Sequence, residues 1–158
     1  MTAPNSAQLP LPRLRPMRAA DLDVLLAHEQ AMFGSEAWSR ESYLDELADT
    51  ELRYYLVAEN ADGVLLGSGG LMTIGETAQI LTVGVLPAAR RHGLGRVLVR
   101  ALITEARRRG ASEVLLEVRE DNLAARKLYE AEGFANLGRR RGYYDRGRVD
   151  AVTMRYAI

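Results

Sequence analysis

Three groups of residues in this 158-residue chain have the types and spacing to do chemistry. The first is Arg90-Arg91-His92-Gly93-Leu94-Gly95-Arg96, set between the apolar run Val83-Gly84-Val85 and a long amphipathic pattern. The first backbone N–H groups of a helix have no acceptor within it, and the helix dipole is positive there. Glycines let a phosphate approach those groups closely, and three arginines add charge around the same point. The stretch reads as a pyrophosphate cradle, or else as a plain strand-to-helix loop with an arginine-rich helix start. The second group is Glu117, a carboxylate inside Val114-Leu115-Leu116-Glu117-Val118. Burying an unpaired carboxylate is costly, and burial pushes a carboxyl toward the range where it works as a general base. A salt bridge to Arg119 on the same strand face is the alternative. The third is Tyr129, which lies beside Leu128 on a helical stripe and by itself reads as a packed amphipathic aromatic.

Other chemistries lose ground on the same residues. The Walker-A pattern is absent, and Gly93-x-Gly95 is followed by Leu98 where a dinucleotide fingerprint needs its third glycine. The chain has no cysteine, which removes a thiol nucleophile, a thiolate metal site and any disulfide framework. His28 and His92 are too few and too separated for a metal site, so no metal is expected, and no Ser-His-Asp triad is supported.

The elements that must position these groups follow from hydrophobic periodicity. Four of the five prolines lie in the first 16 residues, so residues 1–12 read as a loose lead-in and residues 13–158 as one domain. Arg13 to Met17 forms a short edge strand ending at Pro16. Asp21 reads as the N-cap of a helix carrying Leu22, Leu25, Leu26 and Met32 and stopped at Gly34. Ser39 caps a second helix, with Tyr43, Leu44 and Leu47 as its apolar stripe. Strands follow at 54–58, 64–73 and 77–85, the first two joined by Asn60-Ala61-Asp62-Gly63. Then come a helix at 94–109, a buried strand at 114–118 and a helix at 122–132 with Leu123, Ala124, Leu128 and Ala131 inward. Two last strands, at 134–139 and 149–156, are joined by a loop running from Arg139 to Arg148. The order βααβββαβαββ argues an α/β fold with a mixed central sheet flanked by helices.

Three ordered motifs now converge. Arg90-x-x-Gly93-x-Gly95 after an apolar strand resembles motif A of the GCN5-related N-acetyltransferases (GNAT), which bind the pyrophosphate of acetyl-CoA there. Leu116-Glu117-Val118-Arg119-Glu120-Asp121-Asn122 and Leu128-Tyr129 through Gly133-Phe134 resemble that family's second conserved block. With Arg140-Arg141-Gly142-Tyr143-Tyr144, they look like the RimI type, whose members acetylate the N-terminal alanine of a small-subunit ribosomal protein. The likeness spans about residues 13–158.

The resemblance implies the GNAT fold, acetyl-CoA as co-substrate and an acyltransferase activity on a protein N-terminus. It implies that Glu117 activates the amine, usually through water, and that Tyr129 protonates the CoA sulfur. Val83 and Val85 match the positions whose backbone pairs with pantetheine, with Gly84 between them permitting a bulge or close approach. Arg90, Arg91, His92, Gly93, Leu94, Gly95 and Arg96 match the pyrophosphate loop. Asn122 matches the asparagine that touches the pantetheine arm, and it also reads as a plain N-cap. Glu36, Trp38, Tyr143 and Tyr144 frame the expected acceptor side, where hairpin packing is the rival reading for the tyrosines.

Acetylation of a small-molecule amine on the same fold stays open, as does an RNA-binding module built on the arginine–tyrosine stretch after Arg139. The net charge is zero, but residues 1–89 hold 5 arginines against 12 acids (−7), and residues 90–158 hold 16 basic residues against 9 acids (+7). An anionic ligand therefore belongs on the second half and a cationic acceptor on the first. The N-terminus has no basic start followed by an apolar run, and no apolar stretch is long enough to span a bilayer. The expectation is a cytoplasmic enzyme with no membrane partner and no stable nucleic-acid partner.

Overall fold

The computed structural model describes residues 11–158; residues 1–10, most of the expected lead-in, lie outside that range. The chain runs β1 (Arg13–Pro16), α1 (Leu22–Phe33), α2 (Arg40–Ala48), β2 (Arg53–Glu59), β3 (Leu65–Ile74) and β4 (Thr77–Val85). It continues as α3 (Leu94–Arg108), β5 (Glu113–Arg119), α4 (Leu123–Ala131), β6 (Ala135–Tyr144) and β7 (Val149–Ala157). The expected order holds. Seven strands form one sheet in the order β1-β2-β3-β4-β5-β7-β6, antiparallel except where β4 meets β5.

Helices cover both faces, which explains why β2 reads as a continuous apolar run. Its alternate residues divide between two cores. Leu56 and Ala58 join α3 with Leu94, Leu98, Val99 and Leu102, while Tyr55 and Val57 join Leu22, Leu25 and Tyr43 of α1 and α2. Gly67 and Gly69 of β3 do not simply weaken the strand. A Cβ at Gly67 would stand 2.6 Å from the Gly84 carbonyl oxygen and 3.3 Å from Leu94 and Leu98, so the close seating of α3 requires glycine there.

Several local expectations need correction. Asp21 does not cap α1: its carboxylate accepts the Arg18 N–H at 2.8 Å and binds the Arg15 guanidinium. Ser39 does cap α2, accepting the Ser42 N–H at 3.1 Å, but Leu44 faces solvent. On α4 the inward face is Ala125, Leu128 and Tyr129; Leu123 is 62% exposed, and Ala124 and Ala131 are exposed as well. The helix is only nine residues long and packs by one narrow edge, so its first and last turns point outward.

The expected loop from Arg139 to Arg148 is mostly strand. β6 extends to Tyr144, and only Asp145–Gly147 forms the turn. The pairing of β6 with β7 breaks between Arg140, opposite Ala151, and Tyr144, opposite Val149. That bulge is closed by Gly142, at φ 62°, whose N–H donates to Asp150 Oδ1 at 2.9 Å.

Candidate active site

The sheet is split at its centre. β4 and β5 pair only at Thr77–Glu113, Ala78–Val114 and Gln79–Leu115. Beyond that point they diverge, and Ile80 to Val83 on one side and Leu116 to Arg119 on the other line a cleft of about 1010 Å³. A register break opposite Gly70–Leu71 leaves Leu81 as an extra residue in β4 and bends the strand away. The bulge expected at Gly84 is therefore three residues earlier. Gly84 serves close packing instead, since a Cβ there would meet Phe33 at 2.8 Å and Met32 at 2.9 Å.

Glu117 and Tyr129 enter this cleft from opposite faces of the sheet. On β5 the residues Val114, Leu116 and Val118 are buried against the α3 core, and Glu117 alternates onto the face carrying the α1–α2 connection. Its side chain is 15% exposed. The Glu117 Oε1 atom binds Arg140 Nη1 at 2.7 Å, while Oε2 is buried without a hydrogen-bond partner among the described residues. The expected pairing with Arg119 does not form. Arg119 binds Asp121 at 3.0 Å and reaches Glu36 at 3.4 Å. Arg140 comes from β6, brought beside β5 through β7. Tyr129 comes from α4 and packs its ring 5.8 Å from Phe134. Burial pushes its phenol up to about 12, so it keeps its proton at physiological pH, and its hydroxyl has no protein partner among the described residues.

The residues expected on the acceptor side also line this cleft. Glu36 and Trp38 line the cleft from the α1–α2 connection, and Tyr143 and Tyr144 from the end of β6. The two tyrosine rings meet edge to face at 4.8 Å, Arg140 lies 4.4 Å from the Tyr143 ring centroid, and the Tyr144 hydroxyl donates to the Glu117 carbonyl at 3.4 Å. Burial raises both phenols, Tyr144 to about 12. Packing and cleft lining thus coexist in these side chains.

The loop expected to cradle a pyrophosphate lies at the outer end of β4. Gly93 starts α3 at φ 75° with open space where a Cβ would be, and no side chain caps the helix. Among the described residues, the backbone N–H groups from Arg91 to Arg96 meet no backbone acceptor. Leu94 contributes its backbone only, its side chain being buried in the core, and His92 is exposed. Gly95 serves helix packing, because a Cβ there would stand 3.0 Å from Leu128. The three arginines divide. Arg90 folds back onto the Val85 carbonyl at 3.2 Å, Arg96 binds Glu132 at 3.0 Å, and Arg91 alone of the three has no side-chain hydrogen bond or ion pair among the described residues. Val83 lines the cleft and Val85 does not. Asn122 caps α4, accepting the Ala125 N–H at 3.1 Å, and also lines the cleft. No group of three His, Cys, Asp or Glu side chains is arranged to hold a metal among the described residues, and none of their helices is long and apolar enough to cross a membrane.

A sheet split between two parallel strands, an uncapped helix start, and a carboxylate and a phenol lining one cleft fit an acyltransferase. The chain belongs to the acetyltransferase (GNAT) family, whose model matches residues 22–134, and that family uses acetyl-CoA. It is 37% identical over 149 residues to N-alpha-acetyltransferase RimI of Mycobacterium tuberculosis, covering 92% of this chain and 88% of that protein. It is 33% identical over 123 residues to the ribosomal protein bS18-alanine N-acetyltransferase of Escherichia coli, covering 77% and 81%. The crystal structure of the ribosomal-protein-S18-alanine N-acetyltransferase from Escherichia coli superimposes with a TM-score of 0.82 at 29% identity, covering 94% of each chain.

One positioning residue carries no motif. Glu29, on α1, is 2% exposed and fixes the connection that bears Glu36 and Trp38. A signal was present: Glu29 falls seven residues after Leu22 and four after Leu25, on the apolar stripe of its helix.

Proposed function

We propose that this chain is an Nα-acetyltransferase that uses acetyl-CoA to modify the N-terminal alanine amine of a small-subunit ribosomal protein of the bS18 kind, with residues 13–158 as its catalytic domain. The observation that carries the chemistry is one cleft, at the divergence of β4 and β5, lined both by Tyr129 and by Glu117 with its buried, unpartnered Oε2. The acceptor reading rests on the Mycobacterium and Escherichia relatives.

The residues present fit acetyl-CoA. The open N–H groups at the start of α3 suit the pyrophosphate, the unpaired edge of β4 at Val83 suits pantetheine, and Asn122 stands beside that path. When bound, acetyl-CoA supplies an activated acetyl thioester. Glu117 Oε2 takes a proton from the amine directly or through one water, because an N-terminal amine with a pKa near ~8 is largely protonated at neutral pH. Arg140 occupies the other carboxylate oxygen and fixes its orientation. Tyr129 holds a proton at its phenolic oxygen for the departing thiolate. With no cysteine in the chain, transfer runs directly from thioester to amine. Glu36 and Asp121 offer negative charge to the arriving ammonium, partly offset by Arg119.

The test is to incubate the purified protein with acetyl-CoA and an alanine-starting peptide, beside a polyamine panel. Peptide turnover is expected, and turnover on polyamines alone would overturn the proposal. A second measurement addresses the anion loop. Arg91 sits at φ 70°, which asparagine tolerates. Arg91→Asn is expected to weaken acetyl-CoA binding about threefold at low salt, with the difference fading as ionic strength rises. Titration calorimetry at two salt concentrations checks it.

A further inference from the structure

We propose that Glu29 is a positioning residue that clamps the α1–α2 connection and thereby sets affinity for the acceptor amine. This rests on the reading of the Gly34–Trp38 segment as the acceptor wall.

Glu29 belongs to the apolar face of α1 and is buried among Leu22, Leu25, Tyr43 and their neighbours. No arginine, lysine or histidine pairs with it among the described residues. A carboxylate in such a place is costly unless its oxygens are satisfied. Each oxygen here accepts one hydrogen bond, and the two donors come from different parts of the chain. Oε1 accepts the backbone N–H of Trp38 at 2.8 Å, at the end of the connection, and Oε2 accepts the Tyr43 hydroxyl at 3.0 Å, from α2. Burial pushes the Glu29 carboxyl up, and the two donors oppose that shift.

The chemistry of the two donors sets which change opens the clamp. The Trp38 N–H can only donate, but the Tyr43 hydroxyl can also accept. Glutamine could therefore keep both links, its oxygen accepting from Trp38 and its NH2 donating to the Tyr43 oxygen. Methionine has a similar length and no strong acceptor, so replacing the acid by methionine removes both arms while filling a similar space.

What the clamp holds is the wall of the cleft. Trp38 lies 5.1 Å from the Tyr43 ring and 6.2 Å from the Tyr55 ring, so its indole is fixed on the side where Glu29 fixes its backbone. Glu36, two residues earlier, reaches across the cleft mouth to Arg119. The cradle at α3 and the open edge of β4 have no part in this arrangement. Loosening the clamp should therefore cost acceptor binding and leave acetyl-CoA binding alone.

Trp38 is the only tryptophan in the chain, so its fluorescence reports on the connection whatever the substrate proves to be. In Glu29→Met, acrylamide quenching of Trp38 is expected to rise about twofold. The KM for an alanine-starting peptide should rise about tenfold, equivalent to about 1.4 kcal/mol. kcat and the KM for acetyl-CoA should stay within about twofold. Tyr43→Phe removes one donor and keeps the carboxylate, so it should produce a smaller change of the same kind, and it serves if Glu29→Met does not fold. Unchanged quenching and unchanged peptide KM in both variants would overturn the clamp. So would a matched loss of kcat and acetyl-CoA affinity, the mark of general destabilisation. Should the native protein acetylate no peptide while Glu29→Met still frees Trp38, the acceptor reading fails and the clamp stands.

Discussion

Glu117→Gln is expected to lower kcat/KM for an alanine-starting peptide by about 10²–10³-fold at pH 7, the scale of a lost general base. The fold should survive, because the amide keeps the shape and its oxygen can still accept from Arg140 at the position Oε1 now holds. Acetyl-CoA binding should be unchanged, since the anion loop lies beyond the far end of β4. The loss should also depend on pH. Below the amine's pKa of ~8 nearly every acceptor must shed a proton in the site, and above it most arrive neutral. The deficit of the variant should therefore shrink as the pH is raised toward ~9.5. Steady-state rates across that range check the prediction. An equal rate for variant and parent at every pH would remove Glu117 as the base and leave Arg140–Glu117 as a structural ion pair.

The residues that line the cleft were more legible in the sequence than the contacts among them. Glu117 stood out because a charge interrupts an apolar strand, and Tyr129 because of its place in an ordered motif. The partner of Glu117 could not be read in the same way. Arg119 is two residues away on the same face, yet the field there is shared with Asp121 and Glu36, and Arg140 arrives from 23 residues away through the pairing of β5 with β7 and β7 with β6. β6 itself hid for a related reason. It is an edge strand exposed along nearly its whole length, so it carries no apolar alternation, and arginine and glycine made its end resemble a loop.

The charge split was legible but coarse. Arg96 and Arg100 both bind Glu132, Arg108 and Arg109 bind Glu105, and Arg139 binds Glu120 and Asp150. Much of the +7 half is thus neutralised locally. The proposed attraction for a pyrophosphate therefore rests on backbone N–H groups and Arg91 more than on the arginine count.

Tyr129→Phe is expected to lower kcat by about 10²-fold while leaving the KM for peptide and for acetyl-CoA nearly unchanged, because the group lost acts only as the thiolate departs. Phenylalanine keeps the ring that packs against Phe134, so the melting temperature should hold within a few degrees. Its pH signature should differ from that of Glu117→Gln. The Tyr129 phenol, pushed up to about 12 by burial, stays protonated throughout the accessible range, so the parent never loses the donor and the deficit should be constant from pH ~6.5 to ~9.5. A flat deficit for one variant and a closing deficit for the other would separate an acid acting on the leaving group from a base acting on the amine. If the Tyr129→Phe deficit instead closed with rising pH, the phenol would be acting on the amine side. If it were under about threefold with a lowered melting temperature, Tyr129 would be a packed aromatic that happens to line the cleft.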